Sequence, residues 1–206
     1  VSGSGSLAFD AAGNPHISYN DNTNNVLDGD LKYASNVGGS WTTETVDSTG
    51  DVGYYNSLAF DAGGNPHISY FDNTNKDLKY ASKVGVNPWT TETVAIIGDV
   101  GSQNSLAFDA SGNPHIAYLD ETNWNLMYAS KVGANPWTFE IITSVIPLAQ
   151  IGFGPRSLAI DASGNPHLSF CQNYALGYAT KDGANPWTGV WVDNIGLTGT
   201  YNSLAL

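Results

Sequence analysis

Basic residues are scarce in this chain: seven Lys and Arg stand against nineteen Asp and Glu among 206 residues, a formal charge of -12. A surface so poor in cations repels a phosphate backbone, which is held by Lys and Arg clusters that release counterions, so nucleic acid is excluded as a partner. A single cysteine, Cys171, rules out an intrachain disulfide and leaves the redox compartment open. No apolar run approaches the roughly 18 residues needed to span a bilayer, so membrane insertion is not expected. Sustained 3.6-residue periodicity is missing too, because Pro or Gly interrupts every stretch long enough for a helix. The chain opens at Val1 rather than Met, which marks a processed product or a piece of something longer.

What is present is repetition. SLAFDAGGNPHISY at residues 57–70 recurs in nearly the same form at 6–19, 105–118 and 157–170, and SLAL returns at 203–206. The serines that open the copies, Ser6, Ser57, Ser105, Ser157 and Ser203, lie 46 to 52 residues apart. In the second copy SLAF and HISYF flank a DAGGNP turn. Gly64 and Asn65 tolerate a tight reversal there, and Pro66 removes a donor just before the next strand. LKYAS (78–82) and WTTETV (89–94) supply a third and a fourth strand. Four antiparallel strands per 40 to 50 residues are the signature of a propeller blade. The fold class is therefore all-β, a β-propeller of four-stranded antiparallel blades with four full repeats and the first strand of a fifth. The expected blades are 6–56, 57–104, 105–156 and 157–202, with an extra strand at 203–206, in a single domain over 1–206. A β-sandwich would give no reason for near-identity every four strands. Length changes fall in the predicted loops at 20–30, 144–156 and 172–175.

The string D-x-x-G-N-P-H, an apolar-Ser/Ala-aromatic strand, Leu-x-Tyr-Ala and a Trp-Thr strand together resemble the Asp-turn repeats of sialidase-like (BNR-type) propellers. The resemblance covers almost the whole chain. It departs from the usual Ser-x-Asp-x-Gly-x-Thr-Trp box in having Asn-Pro-His where Thr-Trp would stand. It implies a bacterial or archaeal extracellular or cell-surface protein. A sialidase site would require several arginines, and the chain has only Arg156.

Four Asp/His pairs recur across the turn: Asp10 and His16, Asp61 and His67, Asp109 and His115, Asp161 and His167. Carboxylate beside imidazole suits acid-base work or metal ligation, yet a pair present in every copy reads as a blade lock, with Asp accepting turn amides and orienting His. The DNTN and DETN loops place oxygens at alternate positions, a partial match to a calcium loop and a closer one to side-chain turns. Were calcium to bind, Asp21, Asp28 and Asp30 are the candidates; no other cofactor is expected. Glu44, Glu92 and Glu140 occupy one position in successive blades, so they do not form a glycosidase pair.

What is identical in every blade builds the blade, so function belongs where the copies differ. The ligand-binding candidates are Tyr54, Tyr55, Trp124, Phe153, Arg156, Tyr174 and Tyr201, in connectors that share one face; Trp191 also stands outside the repeat. The expected function is a non-catalytic extracellular binding module for carbohydrate. The alternatives are a structural or assembly domain and a fragment of a glycoside-hydrolase-type propeller enzyme. The start of a fifth repeat adds the expectation of homo-oligomers through exchange of a terminal strand.

Overall fold

The structure, a computed structural model, describes residues 5–23, 28–144, 157–172, 175–195, 198 and 202–205. Each repeat forms one antiparallel four-stranded sheet, and no helix occurs among the described residues, so the fold class is that of an all-β propeller. The first sheet holds β1 (Gly5–Phe9), β2 (Pro15–Asp21), β3 (Asp30–Val37) and β4 (Ser40–Asp47). The second holds β5 (Val52–Phe60), β6 (Pro66–Asp72), β7 (Asp77–Ser82) and β8 (Thr90–Ala95). The third holds β9 (Val100–Phe108), β10 (Pro114–Asp120), β11 (Asn125–Ser130) and β12 (Thr138–Ser144), and the fourth β13 (Leu158–Ile160), β14 (Pro166–Gln172), β15 (Ala175–Thr180) and β16 (Thr188–Asp193). The chain divides into two compact units, 1–102 and 103–206.

Register sorts the side chains onto two faces. In the second sheet Leu58, Ile68 and Ala81 stand in one row, and Ser57, Ser69, Tyr80 and Glu92 in another of opposite sense. The first row belongs to what is here termed the leading face, which meets the preceding sheet. The second belongs to the trailing face. In the first unit Leu31, Tyr33 and Val46 of the first sheet pack with Leu58, Ile68, Tyr70 and Ala81 of the second. In the second unit Ala117, Leu119 and Tyr128 pack with Leu158, Leu168, Phe170 and Ala179. The core of each unit is thus the space between two sheets, and each buried Leu or Ile contributes about 1.5–3 kcal/mol that an isolated sheet would forgo.

Polar contacts repeat with the packing. Ser6 Oγ accepts the Leu58 amide at 3.0 Å, and Ser105 Oγ accepts the Leu158 amide at 3.2 Å. Lys83 reaches both oxygens of Glu44 at 2.7 and 2.5 Å, and Lys181 those of Glu140 at 2.5 and 2.6 Å. Trp89 sets its ring edgewise to Tyr33 and Trp187 does the same to Tyr128, each at 5.1 Å, as expected of a tryptophan that packs between blades.

Two expectations change. The segment holding Tyr54 and Tyr55 is not a connector: it belongs to β5, which begins at Val52, ahead of the SLAF string, and β9 likewise begins at Val100. Positive φ at Gly53 (92°) and Tyr55 (50°), and at Gly101 (102°) and Gln103 (49°), bends each strand through a bulge. Strand one also starts earlier than its apolar string because Val52 still pairs with Asp72 and Tyr54 with Phe71. The second change concerns the fifth copy. Residues 203–205 are not in a strand. Asn202 nevertheless accepts the Ser169 hydroxyl at 2.6 Å, as Asn56 accepts Ser18 at 2.6 Å.

At Gly101 a Cβ would lie 2.6 Å from the Cα of Leu78, against backbone that cannot yield, and its φ of 102° already disfavours a side chain. Gly101→Ala is expected to cost about 2 kcal/mol or more, read as a lowered urea midpoint. An unchanged midpoint would show that the close approach of β9 to β7 is absent.

Candidate functional site

The recurrent turn comes first, because its residues look catalytic. Asp10 Oδ1 accepts the amides of Ala12 and Asn14 at 2.9 and 2.8 Å, and Oδ2 accepts the Asn14 side-chain amide at 2.8 Å. Asp61, Asp109 and Asp161 hold their turns through the matching asparagines Asn65, Asn113 and Asn165. The histidine beyond the turn brings Nε2 to the same carboxylate, at 3.4 Å for His16, 3.3 Å for His67, 3.6 Å for His115 and 3.4 Å for His167. The shortest of these, His67 to Asp61, is a hydrogen bond, whereas the Nε2 atoms of His16 and His115 sit beyond good geometry.

A third member emerges that spacing alone did not reveal. Tyr33 bonds His16 Nδ1 at 2.5 Å and Tyr80 bonds His67 Nδ1 at 2.6 Å; Tyr128 and Tyr178 do the same to His115 and His167. Burial, and then the charges of Glu44 and Asp10, push the Tyr33 phenol far above its usual range, so it keeps its proton. Burial also lowers His67 and His115 below 6.5 despite the nearby carboxylates. The neutral arrangement that satisfies all three groups has Tyr O–H donating to Nδ1 and Nε2–H directed to Asp. In every copy the Tyr–His contact ties strand two to strand three.

Acid should open these locks. A histidine whose folded pKa is depressed stabilises the fold fully above its unfolded value of 6.5 and loses that contribution as pH falls below it. Hydrogen bonds from Asn14, side chain then backbone, hold Asp10 at about 2, and those from Asn165 hold Asp161 at about 2. Their contribution is present above 3.8 and fades toward 2. Urea midpoints should therefore be flat above pH 6.5, fall in a first stage below it and in a second below 3.8. A constant midpoint from pH 8 to 4 would contradict the neutral-histidine assignment.

The other expected site residues are scattered. Tyr55 is 44% exposed and its ring lies 6.2 Å from that of Phe71. Tyr54 is partly buried, and burial, then Asp51, raises its phenol. Trp124 takes the left-handed turn position held by Lys76 in the second copy (φ 54° and 64°) and packs partly buried against the core of the second unit. Phe153, Arg156, Tyr174 and Tyr201 lie outside the described residues. Asp21 is occupied by the amide and hydroxyl of Thr23, Asp30 pairs with Lys32 at 3.0 Å, and Asp28 is exposed. Among the described residues no three His, Cys, Asp or Glu side chains gather as a metal ion would require.

A hollow appears where the fourth sheet departs from the others. In the first unit, Asp47 on the trailing face of the first sheet accepts Tyr70 O–H at 2.6 Å and binds Lys79, closing the space between sheets. Burial alone would raise Asp47, but Lys79 and Tyr70 hold its carboxyl below the usual range. In the fourth sheet the places of Tyr70, Lys79, Thr91 and Thr93 are taken by Phe170, Gly177, Gly189 and Trp191. Register sets Phe170, Gly177 and Trp191 side by side across three strands, with Ala179 and Gly189 beside them. Gly177 gives its side-chain space to the Phe170 ring, whose atoms stand where a Cβ would be, while Gly189 leaves its part of this face open.

The resulting cavity of about 360 Å³ is lined by Ile142, Phe170, Gln172, Trp187, Val190 and Trp191, among others, with no charged residue in its lining. The Phe170 and Trp191 rings stand 5.9 Å apart at 59°; Trp191 is 50% exposed, and the buried indole nitrogen of Trp187 has no acceptor. Trp191 was marked by sequence as lying outside the repeat. The glycines were not, because their effect depends on which residues oppose them.

No family model matches the chain, and no curated protein matches it in sequence. Solved structures share its fold. An ulvan lyase, a polysaccharide lyase bound to -[GlcA(1-4)Rha3S]-, superposes with a TM-score of 0.61 at 15% identity, over 91% of this chain and 57% of that one. A Hadza microbial sialidase gives 0.59 at 12% identity over 93% and 46%, and the fucose-specific lectin from Aleuria aurantia 0.57 at 16% over 91% and 62%. The chain thus spans about half to three fifths of the length of these proteins, and at such identity the likeness establishes the propeller fold alone.

Proposed function

We propose that this chain is a non-catalytic carbohydrate-binding propeller, of the extracellular BNR-like kind, whose ligand is a neutral glycan held in the hollow of the fourth sheet. The observation that carries this reading is the paired replacement of Lys79 and Thr91 by Gly177 and Gly189 beside the Phe170 and Trp191 rings. A sugar ring has an apolar C–H face and a rim of hydroxyls. The exposed Trp191 face suits the first, and the Gln172 amide suits the second. A cavity of about 360 Å³ falls at the low end of the roughly 300–1,000 Å³ of small-ligand sites. An uncharged lining favours a neutral sugar over a sialic acid or uronate, and it offers no carboxylate pair of the kind glycoside hydrolysis uses. Solved neighbours that bind or cleave sugars on the same fold agree with the reading. Exposed Tyr55, beside Tyr54, is proposed as a secondary contact, and the DNTN loop with Asp21, Asp28 and Asp30 as a calcium site.

The test is calorimetric titration with neutral oligosaccharides, with and without calcium. Trp191→Ala removes about 1.5–3 kcal/mol of apolar contact, so affinity should fall at least tenfold while the urea midpoint stays put. Gly189→Thr, which restores the residue found at position 91 where a Cβ meets only ordinary contacts, should abolish binding. Absence of any glycan binding, or full affinity in both variants, would sink the proposal.

A further inference from the structure

The first sheet departs from the others where β2 runs into the loop before β3, and the change is from apolar to polar. Asn20 faces Leu31 across the ladder, as Phe71 faces Leu78, Leu119 faces Leu126 and Cys171 faces Leu176. An amide thus stands where the other three copies place an apolar or thiol side chain. Gly29 holds the place of Lys76: its carbonyl accepts the Val52 amide as that of Lys76 accepts the Val100 amide. A Cβ at Gly29 would collide with Asn22 Oδ1 and lie 2.5 Å from Asn20 Nδ2 and 3.0 Å from Asp51 Oδ1. Three polar side chains, from β2, from the loop after it and from the turn before β5, therefore crowd one point within the first unit.

Two oxygens there lack donors. Asn20 Nδ2 donates to the Val52 carbonyl at 2.6 Å, which fixes the amide and leaves its buried Oδ1 without a partner. Asn22 Oδ1 is likewise buried and without a donor. A buried acceptor in this state is costly, and two of them beside one carboxylate call for a shared electropositive partner.

Asp51 supplies the charge. It is 6% exposed, and it accepts the Gly29 amide at 2.9 Å and the Asn73 side-chain amide at 2.6 Å. The Tyr54 hydroxyl bonds it as well. All of these donors are neutral. Lys32 and Lys79 are engaged by Asp30 and Asp47, and Lys76 reaches Asn73 instead of Asp51. A water molecule could satisfy the two amides but would leave the buried carboxylate uncompensated; a cation answers both needs.

We propose that Asn20 Oδ1, Asn22 Oδ1 and the Asp51 carboxylate are ligands of a calcium ion. The inference rests on the calcium reading of the DNTN loop given above and moves its ligands inward, since Asp21 is taken by Thr23 and Asp30 by Lys32. Oxygen ligands alone suit a hard cation. Calcium accepts roughly six to eight oxygens in irregular geometry, whereas magnesium demands a near-ideal octahedron and keeps its waters. One carboxylate among neutral oxygens makes a weak site, with a dissociation constant of about 10⁻⁴–10⁻³ M.

Calorimetric titration of the chain with calcium chloride should show binding in that range, and magnesium chloride at equal ionic strength should show none. Asn20→Leu, which installs the residue of the third copy, and Gly29→Ala, whose methyl would stand among the three side chains, should each weaken calcium by about tenfold or more. In calcium-free buffer Asn20→Leu should keep or raise the urea midpoint, because it removes an orphaned oxygen, so the loss of calcium is not a loss of fold. Absence of any calcium binding would overturn this inference together with the loop reading. Calcium held fully by Asn20→Leu and Gly29→Ala but lost in Asp28→Asn would overturn this inference alone, and so would equal binding of magnesium. None of these outcomes bears on the hollow of the fourth sheet.

Discussion

A four-stranded sheet with apolar rows on both faces is unstable alone, and its burial against the next sheet is the constraint on which everything else in this chain depends. Leu58, Ile68 and Leu168 reach 0–1% exposure only because a neighbouring sheet covers them. That requirement explains why the sequence repeats: each copy must present one face that covers its predecessor and one that is covered by its successor. The shared residues serve that task. Tyr and His tie strands two and three of each sheet to one another, Ser6 and Ser105 reach the next sheet of their unit, and Trp89 and Trp187 rest on Tyr33 and Tyr128.

Once the common residues are assigned to stacking, the departures acquire meaning. Lys79 and Gly177 occupy the same register position, but one fills the space between sheets with a charge bound to Asp47 and the other yields it to the Phe170 ring, which lines the hollow. The hollow is thus a variation on the interface between sheets, read from the residues that the other copies have in its place.

Much of this was legible in the amino-acid order. Strand number, the DxxGNPH hairpin and the all-β class follow from period-2 alternation and turn chemistry. The recurrence of the Asp/His pair across each turn is legible in the same way. What could not be read is what depends on long-range opposition. Alternation says that Tyr80 and Glu92 share a face but not that Tyr80 reaches His67, since that requires the register of β6 against β7. Gly53 and Gly101 looked like connector glycines because a bulge and a loop use the same residue. The hollow depended on two glycines in separate strands, Gly177 and Gly189, being brought beside Trp191, and no local pattern encodes that meeting.

Stacking itself is most directly tested at Tyr33 and Trp89, which belong to successive sheets and touch edge to face at 5.1 Å. A double-mutant cycle with Tyr33→Leu and Trp89→Leu, followed by urea unfolding, isolates their coupling from the cost of each substitution. The account predicts a favourable coupling of about 0.5–1.5 kcal/mol. Strict additivity of the two changes would mean that the first and second sheets do not meet there, and would contradict it.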